Sequence, residues 1–321
     1  MKGIFKSKEF NIFIIIVIIS ILISIRNSTF LSIENLIDIL KGNTVLGILA
    51  MGMLLAIITG GIDVSVGAIT ALVTVISGNI LVKFGLNIII VFVISGLCGS
   101  LLGLVNGWFI SKYKIPPIVV TLGTLSLFSG LNLYFTNGTW ITNLPQWYQD
   151  FGDIKVMGLP IQIFFLLGVA LLTYFLLNHT IFGRGIYAIG GNQEAAVMIG
   201  FNFSRITVFI YSYIGFVAGI AAFVHSSIVK MVDPNAFAGY ELQVVAAVVL
   251  GGANVMGGEG TVIGTLFGVL MMAVINNGLI LAWVPTYWQQ IIVGVIILIA
   301  VCFNMIHRKN IERSMFKIDV S

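Results

Sequence analysis

Residues 183–205 read GRGIYAIGGNQEAAVMIGFNFSR, a polar island between two long apolar runs, 161–178 and 206–229. Each run is close to the roughly 20 residues that a helix needs to cross a bilayer, so the island connects two membrane spans. Within it, Asn192-Gln193-Glu194-Ala195-Ala196 supplies a capping side chain, an acid in the first turn and then small residues, which is how a short helix begins. Such a helix has no core of its own, and a partner outside the chain is expected to cover it.

The same alternation extends in both directions. Of 321 residues, 59% are hydrophobic and 9% charged, against roughly 25% charge in soluble domains, and the mean hydropathy is +1.10. Apolar runs predict ten helices, at about 10–26, 44–60, 67–82, 87–110, 117–135, 161–178, 206–229, 241–257, 261–281 and 287–306. The connections are too short for a soluble domain. The expected fold is therefore an all-α, polytopic membrane helix bundle of about ten transmembrane helices, with residues 1–321 forming a single transmembrane domain. The first run follows Lys2, Lys6 and Lys8 like a signal sequence, but Ser24-Ile25-Arg26 is a poor cleavage site, so it reads as an uncleaved span. Cys98 and Cys302 lie in separate apolar runs and read as packing residues.

An even number of spans puts both termini on one side. With that side cytoplasmic, the inner segments hold Lys2, Lys6, Lys8, Lys112, Lys114, Arg184, Arg205, Arg308, Lys309, Arg313 and Lys317, and the outer ones hold Arg26, Lys41, Lys83, Lys155 and Lys230. The excess of basic residues inside is what the positive-inside rule asks. The net charge of +4 is thus a topology signal, and no nucleic-acid partner is implied. The island becomes cytoplasmic, and the longest outer connection is 136–160. Trp140, Trp147 and Tyr148 in that connection read as interfacial anchors or, alternatively, as a landing surface for a partner that delivers a substrate.

Asp63 is the one ionisable residue between Lys41 and Lys83, set in Gly60-Gly61-Ile62-Asp63-Val64-Ser65-Val66-Gly67. The glycines indicate a helix break, where Asp63 and Ser65 either cap the following helix or meet a substrate, and both hold if the break lines a path. Gly251-Gly252-Ala253-Asn254-Val255-Met256-Gly257-Gly258 matches this stretch at an offset of 191, pairing Asp63 with Asn254 and Gly67 with Gly258, which suggests an internal repeat of parallel sense. Gly96, Gly99 and Gly103, and likewise Gly260, Gly264 and Gly268, fall on single helix faces and read as close-packing positions.

No GxxxxGK[ST] motif is present, so the chain does not cradle nucleotide phosphates itself. His179, His225 and His307 have no metal-ligand spacing, and neither catalytic nor metal-binding residues are expected. Proton coupling has few candidate groups, namely Asp63, His225 and Glu241, which favours a subunit driven by another protein over a carrier working alone.

Six ordered motifs, GGIDVSVGAI at 60–69, KIPPIVVTLGTLSLFSGL at 114–131, TIFGRGIYAIGGNQEAAVMIGFN at 180–202, VLGGANVMGGEGTVIGTLFGVL at 249–270, INNGL at 275–279 and WQQIIVGVIILIAV at 288–301, make the chain resemble the permease subunits of ribose-type sugar ABC importers. It looks closest to autoinducer-2 permeases, with rhamnose and ribose permeases near. The resemblance implies a bacterial inner-membrane subunit that pairs with a second copy or a related permease. It also implies two nucleotide-binding domains, which carry ATP and Mg on that partner, and an extracytoplasmic solute-binding protein; no cofactor sits on this chain. The 183–205 segment would then be the coupling contact, through Gly191, Asn192, Gln193, Glu194, Ala195, Ala196 and Gly200, with the two alanines approaching the ATPase. A neutral polyhydroxylated ligand would be met by hydrogen-bonding groups among Asp63, Ser65, Asn106, Thr121, Thr124, Asn132 and Asn276, and by the breaks at Gly60, Gly61, Gly67, Gly251, Gly252 and Asn254.

Overall fold

The computed structural model describes residues 8–296 and 298. Cys302, His307, Lys2, Lys6, Arg308, Lys309, Arg313 and Lys317 lie outside them, as does most of the second half of the expected helix 287–306. The described chain is almost wholly helical. Seven helices are long and apolar enough to cross a membrane, and an eighth span arises if α2 (Ile33–Gly42) and α3 (Thr44–Ile58), which meet at 44°, are counted together. The others of span length are α1 (Lys8–Arg26), α4 (Val66–Phe84), α5 (Ile88–Tyr113), α6 (Pro117–Thr136), α8 (Ile161–His179), α11 (Phe203–Val229) and α13 (Val262–Leu281). Short helices α7 (Gln146–Phe151), α9 (Ile181–Gly191), α10 (Gln193–Met198) and α12 (Tyr240–Leu250) lie between them.

α3 is buried along its whole length and apolar on every face, which makes it the centre of the bundle; α11, α8, α12 and α13 pack around it. α5 and α11 run antiparallel in a glycine seam. Cβ atoms added at Gly99, Gly103 and Gly107 would run into the backbone at Gly215, Tyr211 and Val208. A side chain of any size would force the helices apart, so the expected packing role of Gly99 and Gly103 holds. Gly264 and Gly268 do the same against Gly251 and Ala247 across the α12–α13 contact.

The expected helix 241–257 stops at Leu250 instead. Gly252, at φ +88°, turns the chain. The Gly252 N–H bonds to the Val249 carbonyl and the Ala253 N–H to Val248, closing a Schellman motif. α3 ends identically at Gly60 (φ +76°), with Gly60 N–H to Ile57 and Gly61 N–H to Ala56. The two caps are therefore equivalent at an offset of 192 rather than 191. The 191 register survives one turn later, where Asp63 and Asn254 each accept the N–H two residues on, from Ser65 and Met256.

The chain before α12 does not pass over the bundle end. Val232 packs on Gly78 and Phe237 on Gly67, eleven residues or about 16 Å apart along α4. Residues 231–239 thus run down beside α4 as irregular backbone. Inside a membrane that is tolerated only where protein satisfies its polar groups, and the Asn132 side-chain amide donates to the Pro234 carbonyl.

At the same end, the connection 136–160 is pinned to α11. Tyr148 is fully buried, its hydroxyl 2.8 Å from both the Phe223 carbonyl and the Ser226 hydroxyl, so it is neither an interfacial anchor nor part of a landing surface. Trp140 and Trp147 remain exposed. An ion pair from Lys230 to Asp153 holds the Asp153 carboxyl below its usual range, first through the hydrogen bond and then through its charge.

Candidate functional site

The break between α3 and α4 carries a buried polar chain. Asp63, with no exposed surface, accepts from the Ser65 N–H at 2.9 Å and the Ser65 hydroxyl at 2.6 Å. The Asn106 amide of α5 donates to that hydroxyl at 2.8 Å, and the Thr124 hydroxyl of α6 donates to the Asn106 carbonyl oxygen at 2.7 Å. Thr121, one turn before, bonds back to its own helix at Pro117 and lies 3.4 Å from the Ile62 carbonyl. Four of the expected polar residues thus form one network, with Thr121 beside it. Ser65 does not cap α4 with its side chain as expected, because its hydroxyl is committed to Asp63.

Two polar atoms here stay unbonded among the described residues: the second Asp63 carboxylate oxygen and the Tyr211 hydroxyl of α11. The Tyr211 hydroxyl borders Gly61, where an added Cβ would sit 3.0 Å from it. Tyr211 closes the inner end of a cavity of ≈ 330 Å³ lined by Thr59, Gly60, Gly61, Lys114, Gln193 and Thr207 among others. Gln193 and Gly61 both line it, so the cavity borders the 183–205 segment as well as the break. A space with hydroxyl, amide and peptide groups on apolar walls suits a small neutral polar molecule.

The remaining candidates do not gather there. Asn132 braces the 231–239 backbone instead. Asn276 lies half-buried on α13, which packs on α1, α2, α3 and α12, away from Asn106 and Thr124. Gly67 forms the first turn of α4 beneath the Phe237 carbonyl. Gly251, Gly252 and Asn254 shape the second break, which abuts the first: the Gly258 N–H donates to the Ile58 carbonyl at 2.8 Å.

In the island, α10 forms where expected. The Asn192 side chain accepts the Ala195 N–H at 3.0 Å, and Gly200 (φ +99°) closes the helix with the Phe201 N–H on the Ala196 carbonyl. Ala196, expected to face a partner, is turned into the bundle and buried. The face left outward carries Gln193, Glu194, Ala195, Val197, Met198 and Ile199, with Met198 84% and Ile199 73% exposed. Methionine and isoleucine so bare at a bundle end form an apolar cap without a cover. Sequence reasoning missed Tyr211, Tyr187 and Gly190. Tyr211 is one of several hydroxyls along α11, so its type alone did not single it out, and Gly190 looked like its neighbour Gly191, which is open to solvent.

A family model described as branched-chain amino acid transport system / permease component matches residues 35–301. The ribose import permease protein RbsC of Bacillus subtilis is 40% identical over 201 residues, 62% of this chain and 62% of that protein, so the match spans less than two thirds of that relative. RbsC of Haemophilus influenzae is 36% identical over 293 residues, 90% of each chain. The autoinducer 2 import system permease protein LsrC of Salmonella paratyphi B is 34% identical over 219 residues, 68% of this chain and 63% of that one. No solved structure matches.

Proposed function

Because the chain belongs to the branched-chain amino acid transport system / permease component family, we propose that it is the transmembrane permease subunit of an ABC importer for a sugar or sugar-like molecule. It works in the bacterial inner membrane with both termini in the cytoplasm and residues 1–321 acting as one transmembrane domain. A separate subunit with two nucleotide-binding domains supplies ATP and Mg chemistry. An extracytoplasmic binding protein delivers the substrate, and a second permease copy or a related subunit completes the membrane part. The names of the relatives favour ribose, arabinose or autoinducer-2 as the cargo class.

The observation that carries this reading is the pairing of an uncovered apolar cap on α10 with a cavity that the same helix lines through Gln193. The ATPase covers the cap, and closure of its nucleotide-bound dimer moves α10. The permease halves then rock between openings to either side. The break at Gly60–Ser65 offers the hydroxyls and amides of Thr121, Thr124, Asn106 and Tyr211 beside the Asp63 carboxyl, while selection rests with the delivering protein.

The test replaces Met198 by Asp and Ala195 by Trp, both on the outward face, in the chain co-expressed with the ATPase subunit of its importer. The expected result is normal membrane insertion with most of the co-purifying ATPase lost. Full retention of ATPase in both variants refutes the docking role. Liposomes holding this chain alone are expected to move no solute, and flux without an ATPase makes it a stand-alone carrier.

A further inference from the structure

α9 and α10 are separated by one residue. Asn192 closes α9 through its own N–H to Ala188 and caps α10 through its side chain, so a displacement of α10 has no slack to be lost in. α9 in turn presents Tyr187 and Gly190, three residues apart and on one face, to the two broken-helix turns. Gly190 lies against the backbone hydrogen bond that joins those turns: a Cβ there would strike both the Ile58 carbonyl and the Gly258 nitrogen, the acceptor and donor of that bond. From the other side, a Cβ on Gly257 would fall 2.8 Å from the Gly190 carbonyl oxygen and 3.1 Å from the Gly60 nitrogen. The Tyr187 hydroxyl donates to the Gly260 carbonyl at 2.7 Å, fastening the far limb of the second turn.

We propose that Tyr187 and Gly190 are positioning residues that deliver movement of the coupling helix to both helix breaks at once. The proposal rests on the transport reading above. Glycine at 190 lets α9 approach until backbone meets backbone, and the Tyr187 hydrogen bond holds the second break to the same helix. The first break carries Gly60, Gly61 and Asp63, which border the cavity and its buried network. A push on α10 therefore arrives at the first break through the last residue of α3.

The complex of this chain with its ATPase, in nanodiscs, is compared with Tyr187→Phe and Gly190→Ala by hydrogen–deuterium exchange, with and without Mg·ATP under vanadate. The amides of 251–261 are suited to this readout, since those of Ala253, Asn254, Met256, Gly257 and Gly258 all donate to partners within the chain. In the wild type, nucleotide is expected to change exchange in both 59–65 and 251–261. Tyr187→Phe is expected to cut the change in 251–261 at least threefold, with ATPase binding and nucleotide-free exchange within twofold of wild type; Gly190→Ala, whose methyl displaces the Ile58–Gly258 hydrogen bond, is expected to raise nucleotide-free exchange at Gly258 and to cut the nucleotide response in both segments. Wild-type responses in both variants overturn the proposal, as does exchange raised equally with and without nucleotide, which marks a merely structural loosening. A wild-type chain that binds no ATPase instead defeats the transport reading, while one that binds ATPase with no response in either break defeats only this inference.

Discussion

Replacing Gly99 with Ala tests whether the α5–α11 seam is set by backbone contact. The added methyl would enter the space of the Gly215 carbonyl and crowd the Gly219 nitrogen, and a methyl on Gly215 would enter that of the Gly99 carbonyl. Neither obstacle is a side chain that can rotate away, so the helices must separate. Overpacking of this kind costs about 1–3 kcal/mol. Ala recovers up to about 1 kcal/mol of helix propensity over Gly. With backbone on both sides the cost falls at the upper end, and the net loss is about 2 kcal/mol. At about 2 °C per kcal/mol for a chain of this size, melting in detergent falls by about 4 °C. Gly168→Ala on α8, where nothing lies within 4 Å of the added Cβ, serves as the control and is expected to hold or raise the melting temperature. Once the first methyl has parted the helices, the second meets less resistance, so Gly99→Ala with Gly215→Ala is expected to cost less than the sum of the two. A Gly99→Ala chain that melts with the Gly168→Ala control, or a strictly additive double variant, refutes the seam as the cause.

Asn132→Leu strands the Pro234 carbonyl and is expected to cost about 1–3 kcal/mol, read as faster exchange confined to 231–239; unchanged exchange there counts against the bracing role. Asp63→Asn keeps an acceptor for the Ser65 N–H and is expected to melt within about 2 °C of wild type, whereas Asp63→Ala leaves that N–H unpaired and falls further; equal melting of the two contradicts the assigned geometry. The Asp153 carboxyl is held below its usual range by Lys230, so its contribution is complete above the ordinary carboxylate value and is lost as pH falls through the depressed one. Protease nicking within 146–160 is therefore expected to be flat from pH 8 to 5 and to rise only below about pH 4, and Lys230→Ala is expected to erase that acid step. A step that persists in the variant assigns it elsewhere.

The spans, the α10 cap and the glycine seams were legible because each is written in local spacing: apolar run length, a capping residue with an acid behind it, glycines at three- and four-residue intervals. The short α12 was not. Gly251 and Gly252 were visible, but glycines also pack inside spans, as Gly264 and Gly268 do, and spacing alone does not say which glycine turns the chain at positive φ. The candidate site divided the same way. Asp63 and Ser65 could be placed by their neighbours, and Asn106 and Thr124 joined them because α5 and α6 pack on α4. Asn132 has the same composition signal as Asn106, yet it serves a backbone carbonyl, since type and hydropathy do not say which polar group lies opposite. The same limit hid Gly190: its neighbour Gly191 is identical in sequence, and only the approach of Ile58 and Gly258 separates the two.

α11 is a single unbroken helix of 27 residues, about 40 Å long, with the α10 segment joined to its first turn through Asn202 and the outer connection hooked to its last turns by Tyr148, Gly152 and Lys230. A rod of that kind makes its two ends thermodynamically answerable to each other. Should proteins bound at the two ends each favour one position of α11 over another, the factor by which the first changes the affinity of the second equals the factor by which the second changes the affinity of the first. In that case neither end of the rod is loaded in silence, and occupancy at one is registered as tighter or weaker grip at the other.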